Sequence, residues 1–136
     1  MRNGLITASL LLLVACRTVG LSRTDGGFAE ISATVANEMI IDTNQVVVLD
    51  VRSAAAYHGP DGHIAGALNV PFDTIEQQLP ELLPYQNQTV IVYGETSTDG
   101  AVAARLLSVA GFRNIVHVDG GLKRWIDRGY RTVNSQ

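Results

Sequence analysis

The sequence predicts an α/β fold: a parallel sheet of about five strands with helices on both faces. Three observations carry the prediction. Gln45–Asp50 (QVVVLD) and Thr89–Tyr93 (TVIVY) are continuous apolar, β-branched runs, the pattern of strands buried on both faces. Segments with apolar residues at helical spacing alternate with them along the chain. The connections are short, and strands alternating with helices over short links form a parallel sheet covered by helices.

The elements follow in order. Ala29–Ile31 is a short strand, and Ser32 is placed to cap a helix over Ala33–Ile41. After the QVVVLD strand, Ala67–Val70 is a second short strand. Phe72–Leu83 has helical spacing, interrupted by Pro80. After the TVIVY strand, Gly100–Ala110 is helical. There Val102, Leu106 and Val109 share one stripe, with Ala103, Leu107 and Ala110 beside it. Ile115–Val118 is a last strand and Gly121–Arg128 a last helix. Trp125, at helical spacing with Leu122 and Ile126, is expected in the core.

A chain of 136 residues holds one domain of ordinary size. With 46% hydrophobic and 17% charged residues, it is neither a disordered acidic tail nor a collagen-like repeat. Ten basic against thirteen acidic residues give a net charge of -3, which argues against a nucleic-acid partner. A single cysteine excludes an internal disulfide and a CxxC zinc or redox motif.

The amino end reads as a leader. Arg2 precedes an apolar run from Leu5 to Val14, too short to span a bilayer, which needs about 20 residues. A short positive region followed by a short apolar one reads as an export signal over residues 1–15. Leu13, Val14, Ala15 and Cys16 resemble a bacterial lipobox. The resemblance implies cleavage before Cys16 and acylation of its sulfur and new amino group. The partner is then membrane lipid, held through acyl chains at about 0.8 kcal/mol per buried CH₂. Arg17 stands where aspartate often signals inner-membrane retention, so in a source with two membranes the expected place is the periplasmic side of the outer one, rather than the inner. Arg17–Gly27 (RTVGLSRTDGG) reads as a tether with a root-mean-square reach of about 18 Å. Residues 28–134 make up the folded domain.

In parallel sheets, ligands bind outside the carboxyl ends of the strands. Two loops therefore matter: the one after Leu49 and Asp50, and the one after Val92 and Tyr93. The second runs Gly94, Glu95, Thr96, Ser97, Thr98, Asp99, Gly100 and leads into a helix. A loop wrapped over a helix N-terminus favours anions through its N–H groups and dipole. His58, Asp61 and His63 cluster in YHGPDGH, but a metal needs three or four converging ligands, so no metal is expected there. Ser97 lacks a GxSxG elbow and a third group, which argues against a hydrolase. Asp50 and Arg52 are expected to form a structural ion pair, with Arg52 also placed for ligand contact. No cofactor is expected.

Three stretches identify the chain as similar to single-domain rhodaneses, a family of sulfurtransferases and their non-catalytic relatives. The first is LDVRS with Tyr57 and GHIAGALNVP, covering Asp50, Arg52, Gly62, His63, Ile64, Gly66, Ala67, Asn69 and Pro71. The second is VIVY, a six-residue loop, then Ala103 and Ala104. The third is GFRNIVHVDGGLKRW, with Gly129 beyond it, covering Gly111, Phe112, Asn114, Gly120, Gly121 and Trp125. The resemblance spans about residues 28–133 and implies the rhodanese fold.

The departure from that pattern carries the functional expectation. Active rhodaneses place a cysteine directly after the VIVY-type strand and carry sulfur on it as a persulfide. Here that position is Gly94. The family's loop often reads CxxGxRS; this one reads GETSTDG, with Ser97, Asp99 and Gly100 at the G, R and S positions. The loop holds two carboxylates, Glu95 and Asp99, and no basic residue. Asp99 is placed as an N-cap that would occupy anion-binding N–H groups. A carboxylate about 5 Å from an anion costs roughly 3 kcal/mol at an effective dielectric near 20. Acylated Cys16 has a blocked sulfur and is no substitute. The expectation is a membrane-anchored, catalytically inactive module that binds a ligand or an as yet unnamed protein partner. The alternative is sulfur transfer through a partner's cysteine.

Overall fold

A computed structural model describes residues 23–134 of the chain. The expected signal peptide (1–15), Cys16 and the first part of the expected tether lie outside the described residues. The element order is β1 (Ala29–Ile31), α1 (Ala33–Asp42), β2 (Val46–Asp50), α2 (Ala54–Tyr57), β3 (Leu68–Asn69), α3 (Ile75–Leu82), β4 (Thr89–Tyr93), α4 (Ser97–Val109), β5 (Asn114–Val118) and α5 (Gly121–Asp127). Short 3₁₀ turns at Phe72–Thr74 and Leu83–Tyr85 flank α3. The sheet has five strands in the order β1-β5-β4-β2-β3, and every neighbouring pair is parallel.

The β-branched runs form the centre of the sheet because both of their faces are covered. Leu49, Val51, Val90, Val92 and Ile115 pack under α3 and α4, with Ile75, Leu82, Ala103, Ala104 and Leu107 above them. Val48, Ile91, Val116 and Val118 pack on the other face against Ala33, Ala36, Leu122 and Trp125 of α1 and α5. Alternate side chains of one strand thus feed two apolar layers, so none of these strands shows a polar face. Ser32 caps α1 by accepting from the Val35 N–H at 3.2 Å. Trp125 is 3% exposed, and its indole N–H donates to the Arg131 carbonyl at 2.9 Å.

Several local readings are corrected. Pro80 does not break α3, which runs on to Leu82. The expected strand Ala67–Val70 shrinks to Leu68–Asn69. The single-turn helix α2 was not foreseen, although Ser53 caps it. The core-facing residues of α4 are Gly100, Ala103, Ala104 and Leu107; Val102 and Val109 point to solvent. Of the two adjacent stripes read from the sequence, the one with Ala103 and Leu107 faces the core, where small residues let the helix lie close to β4 and β5. Residues 23–27, expected as the end of a tether, fold back instead. Arg23 bridges Ala29, the Thr24 N–H donates to the Phe28 carbonyl at 2.7 Å, and the Arg23 guanidinium donates to the Arg113 carbonyl at 2.6 Å.

Candidate functional site

The carboxyl ends of β2 and β4 converge on one group of buried polar side chains. Asp50 ends β2 and is fully buried. Its carboxylate accepts from the Arg52 backbone N–H at 3.0 Å, from Arg52 Nη2 at 2.7 Å, and from the Tyr93 hydroxyl at 2.7 Å. The Tyr93 oxygen in turn accepts from the Ile64 N–H at 3.0 Å. Arg52 Nη2 also donates to the Gly62 carbonyl at 2.6 Å. The loops after β2 and around Gly62 are therefore tied to the end of β4 through one carboxylate. Burial works against the charge on Arg52, but the hydrogen bonds and charge of Asp50 outweigh it and raise its pKa above the ordinary value. Burial first, and then the Asp50 charge, push the Tyr93 phenol far up, so it is neutral and a donor throughout the physiological range.

The stretch Gly94 to Gly100 is reorganised relative to the expectation. Only Gly94, Glu95 and Thr96 form a loop; Ser97, Thr98, Asp99 and Gly100 are the first turn of α4. Asp99 is therefore not the N-cap. Thr96 holds that position and makes no side-chain capping bond. Glu95 does meet a basic residue: Arg52 Nη1 lies 3.3 Å from its Oε2, bringing a cation from the β2 loop across the sheet. Arg52, the expected ligand contact, spends its donors on Asp50, Gly62 and Glu95. The Ser97 hydroxyl donates to Asp119 at 2.7 Å and accepts from the Gly120 N–H at 2.7 Å.

The start of α5 holds the loop from the other side. The Leu122 N–H donates to the Gly94 carbonyl at 2.9 Å, and the Lys123 N–H to the Glu95 carbonyl at 3.2 Å. This close approach explains the second glycine of the Gly120–Gly121 pair. Gly121 has φ +58°, and a Cβ there would lie 2.5 Å from the Gly94 oxygen and 2.6 Å from the Thr96 oxygen. Gly121→Ala is expected to cost about 3 kcal/mol, from left-handed strain plus overlap with the loop backbone. Urea unfolding checks this, and the same variant should shift the amide resonances of Gly94–Thr96.

Nothing in the sequence pattern singles out His117. It lies on β5 beneath the first turn of α4, fully buried, and neither ring nitrogen has a hydrogen-bond partner. A Cβ on Gly100 would come within 2.9 Å of its Nε2, so glycine is what the imidazole permits above it. Phe28 meets its ring edge-on, and Glu30 Oε1 stands 3.8 Å from Nδ1. Burial lowers the His117 pKa below the ordinary histidine value, with Glu30, Asp119 and the Ser97 backbone pulling the other way. The sign follows: the unfolded chain takes up a proton near pH 6.5 that the folded chain refuses. Stability is complete above about pH 6.5 and is lost as pH falls through it. The urea midpoint should drop between about pH 7 and 5.5, and His117→Gln should flatten that drop.

The YHGPDGH cluster has a packing role. His63 stacks on Tyr57 with ring centroids 3.6 Å apart, and its Nδ1 lies 3.0 Å from the Tyr57 carbonyl oxygen. His58 meets the same ring edge-on. Among the described residues no three His, Cys, Asp or Glu side chains converge on a common point. Nor is any helix among them long and apolar enough to cross a membrane.

Comparison with known proteins agrees with this architecture. Residues 32–128 match the rhodanese-like domain family, and the chain belongs to that family. An uncharacterized protein of Synechocystis is 30% identical over 92 residues, covering 67% of this chain and 49% of that protein. A tRNA uridine(34) hydroxylase of Buchnera aphidicola is 29% identical over 100 residues, covering 71% of this chain and 31% of the enzyme. The chain thus spans half or less of the length of these two curated relatives. Among solved structures, a rhodanese-related protein from Thermoplasma volcanium superposes with a TM-score of 0.69 at 30% identity, covering 78% of this chain and 98% of that one.

Proposed function

We propose that this chain is a membrane-anchored rhodanese-like module that performs no sulfur transfer of its own and acts by binding. One observation carries the reading. Gly94 follows β4 directly, where the family resemblance puts the sulfur-carrying cysteine, and the chain's only cysteine is Cys16, which precedes the family match at residues 32–128 in the sequence. The hydroxyls of Thr96, Ser97 and Thr98 do not replace a thiol. They are un-ionised near neutral pH and lack the polarizable sulfur that accepts a sulfane sulfur. Ser97 is in addition engaged with Asp119 and Gly120. What remains is a loop supported by α5 and braced by Arg52, a preformed surface for a ligand or a protein. Relatives in which a matching segment makes up half or less of the protein are consistent with a module of this kind.

The anchor is the second part of the proposal. It rests on the LVAC sequence ending the apolar leader and implies a mature protein beginning at acylated Cys16, facing the periplasm from the outer membrane where the source has two membranes. The intact mass of protein extracted from membranes is expected to show Cys16 as the first residue, bearing acyl chains. Cys16→Ala should release the protein from the membrane fraction. An unmodified cysteine in the extracted protein would contradict the anchor. The catalytic half of the proposal is tested by sulfur transfer from thiosulfate, where no turnover is expected.

A further inference from the structure

Charge is unevenly distributed over the domain. Residues 28–120 hold eleven acidic and three basic residues, whereas residues 121–131 hold one acidic and four basic. The four are Lys123, Arg124, Arg128 and Arg131. All are exposed, and none takes part in an ion pair among the described residues. Helical geometry gathers them. Leu122 and Trp125 turn one face of α5 into the core, so Lys123, Arg124 and Asp127 stand on the outer face, with Arg128 one turn beyond Arg124. The Trp125 indole N–H donates to the Arg131 carbonyl, which folds the tail back beside the helix. The stripe begins at the loop of the candidate site. The Lys123 N–H donates to the Glu95 carbonyl, and a Cβ on Gly120 would lie 3.3 Å from Arg124 Nε, so the arginine runs across that glycine. The acids beside it are Asp127 and, before Gly120, Asp119, which already accepts from the Ser97 hydroxyl.

We propose that the outer face of α5 docks a short acidic segment of a partner protein, whose carboxylates meet Lys123, Arg124, Arg128 and Arg131 and which reaches the loop at residues 94–96. The inference gives the binding role proposed above a kind of partner, and it rests on that role and not on the anchor. Charge complementarity selects the chemistry. Four cations without counterions of their own attract and orient an anionic segment, and no internal ion pair has to be broken first. The extent of the patch selects a short segment. α1 lies in the same layer as α5 and exposes Glu38 and Asp42, so an extended anionic surface laid over α5 meets carboxylates as well. A lipid surface is such an extended one. It also needs a broad apolar face on the helix it receives, whereas α5 offers Ile126 alone, at 39% exposure.

The test uses the chain as purified from cells in a zwitterionic detergent, isotope-labelled, with an acetylated oligoglutamate peptide as the probe. The peptide is expected to shift the amide signals of residues 123–131 and 94–96 and to leave those of residues 102–109 and Ala33–Asp42 in place. Lys123→Glu with Arg128→Glu should weaken binding by roughly tenfold or more, and added salt should weaken it likewise. Arg105→Glu with Arg113→Glu changes the net charge equally, also at exposed positions, and should alter binding by less than about twofold. Equal weakening by the two pairs, or shifts spread over every exposed arginine, would show attraction by overall charge and overturn the docking face. So would the absence of any shift. Shifts of residues 123–131 with phosphatidylglycerol nanodiscs but not with the peptide would assign the face to lipid and overturn the protein partner. Shifts that follow protein concentration without peptide would assign it to a second copy, with the same consequence. Thiocyanate formation from thiosulfate by a chain that binds the peptide at α5 would overturn the inactive reading and leave the docking face standing.

Discussion

Arg52→Met is expected to destabilise the domain by about 3–5 kcal/mol, the largest loss from any single side chain at the site. Asp50 is fully buried, and its carboxylate takes three hydrogen bonds from Arg52, through the backbone N–H, Nε and Nη2. Truncating the guanidinium leaves a buried carboxylate with the Tyr93 hydroxyl and one backbone N–H as partners, and such an uncompensated charge is what makes breaking a buried pair costly. The Gly62 carbonyl loses its donor as well. The surface part of the network behaves differently. Glu95 is half-exposed, so Glu95→Gln is expected to cost under 1 kcal/mol. Arg52→Met with Asp50→Leu should be less damaging than Arg52→Met alone, because the charge left behind has gone. Urea midpoints of the three variants and the wild type measure all of this. A loss under 1 kcal/mol in Arg52→Met would mean that the guanidinium is not the brace described here.

Gly94→Cys will not by itself produce a sulfurtransferase, whereas Gly94→Cys with Asp99→Arg will show clearly more activity. Two effects limit the single variant. A Cβ at Gly94 lies 3.0 Å from the Gly100 nitrogen and 3.2 Å from the Asp99 Cβ, so the loop must give way to hold any side chain there. The Asp99 carboxylate also stands beside the new thiolate and the approaching anion. At an effective dielectric near 20, reversing that charge about 5 Å away is worth up to several kcal/mol. After discounting for the exposure of Asp99, about 2 kcal/mol remains, roughly thirtyfold in turnover. The gain should exceed the sum of the single changes, since Asp99→Arg alone has no thiol to activate. Rates of thiocyanate formation from thiosulfate and cyanide compare the three variants. Equal activity in the single and double variants would show that the charge at position 99 is without consequence.

The parts of the molecule legible in the sequence are those governed by local pattern. The runs Val46–Asp50 and Thr89–Tyr93 announced themselves because a strand covered on both faces has no polar positions. Ser32 was readable because an N-cap acts within one turn. The start of α4 was not, because Gly94–Gly100 is rich in residues that favour turns, and only contacts from β5 and α5 settle where the helix begins. Asp99 was accordingly misplaced as a cap. The Arg52–Glu95 contact joins residues 43 positions apart, and no periodicity encodes it. A loop that read as purely acidic thus has a cation against one of its two carboxylates. His117 stayed invisible for the reason the strands were visible: in a strand buried on both faces, one polar residue among valines leaves no pattern.

The absence of a sulfur-carrying thiol from the folded domain is the claim on which the functional reading depends. Thiosulfate:cyanide turnover by the purified chain from Arg17 onward, which contains no cysteine, tests it most directly. No thiocyanate above the protein-free background is expected, and no sulfur should be retained on the protein by intact mass. Turnover that scales with the concentration of this cysteine-free chain would contradict the account, since the sulfur would then have a carrier that neither Gly94 nor the hydroxyls around it supply.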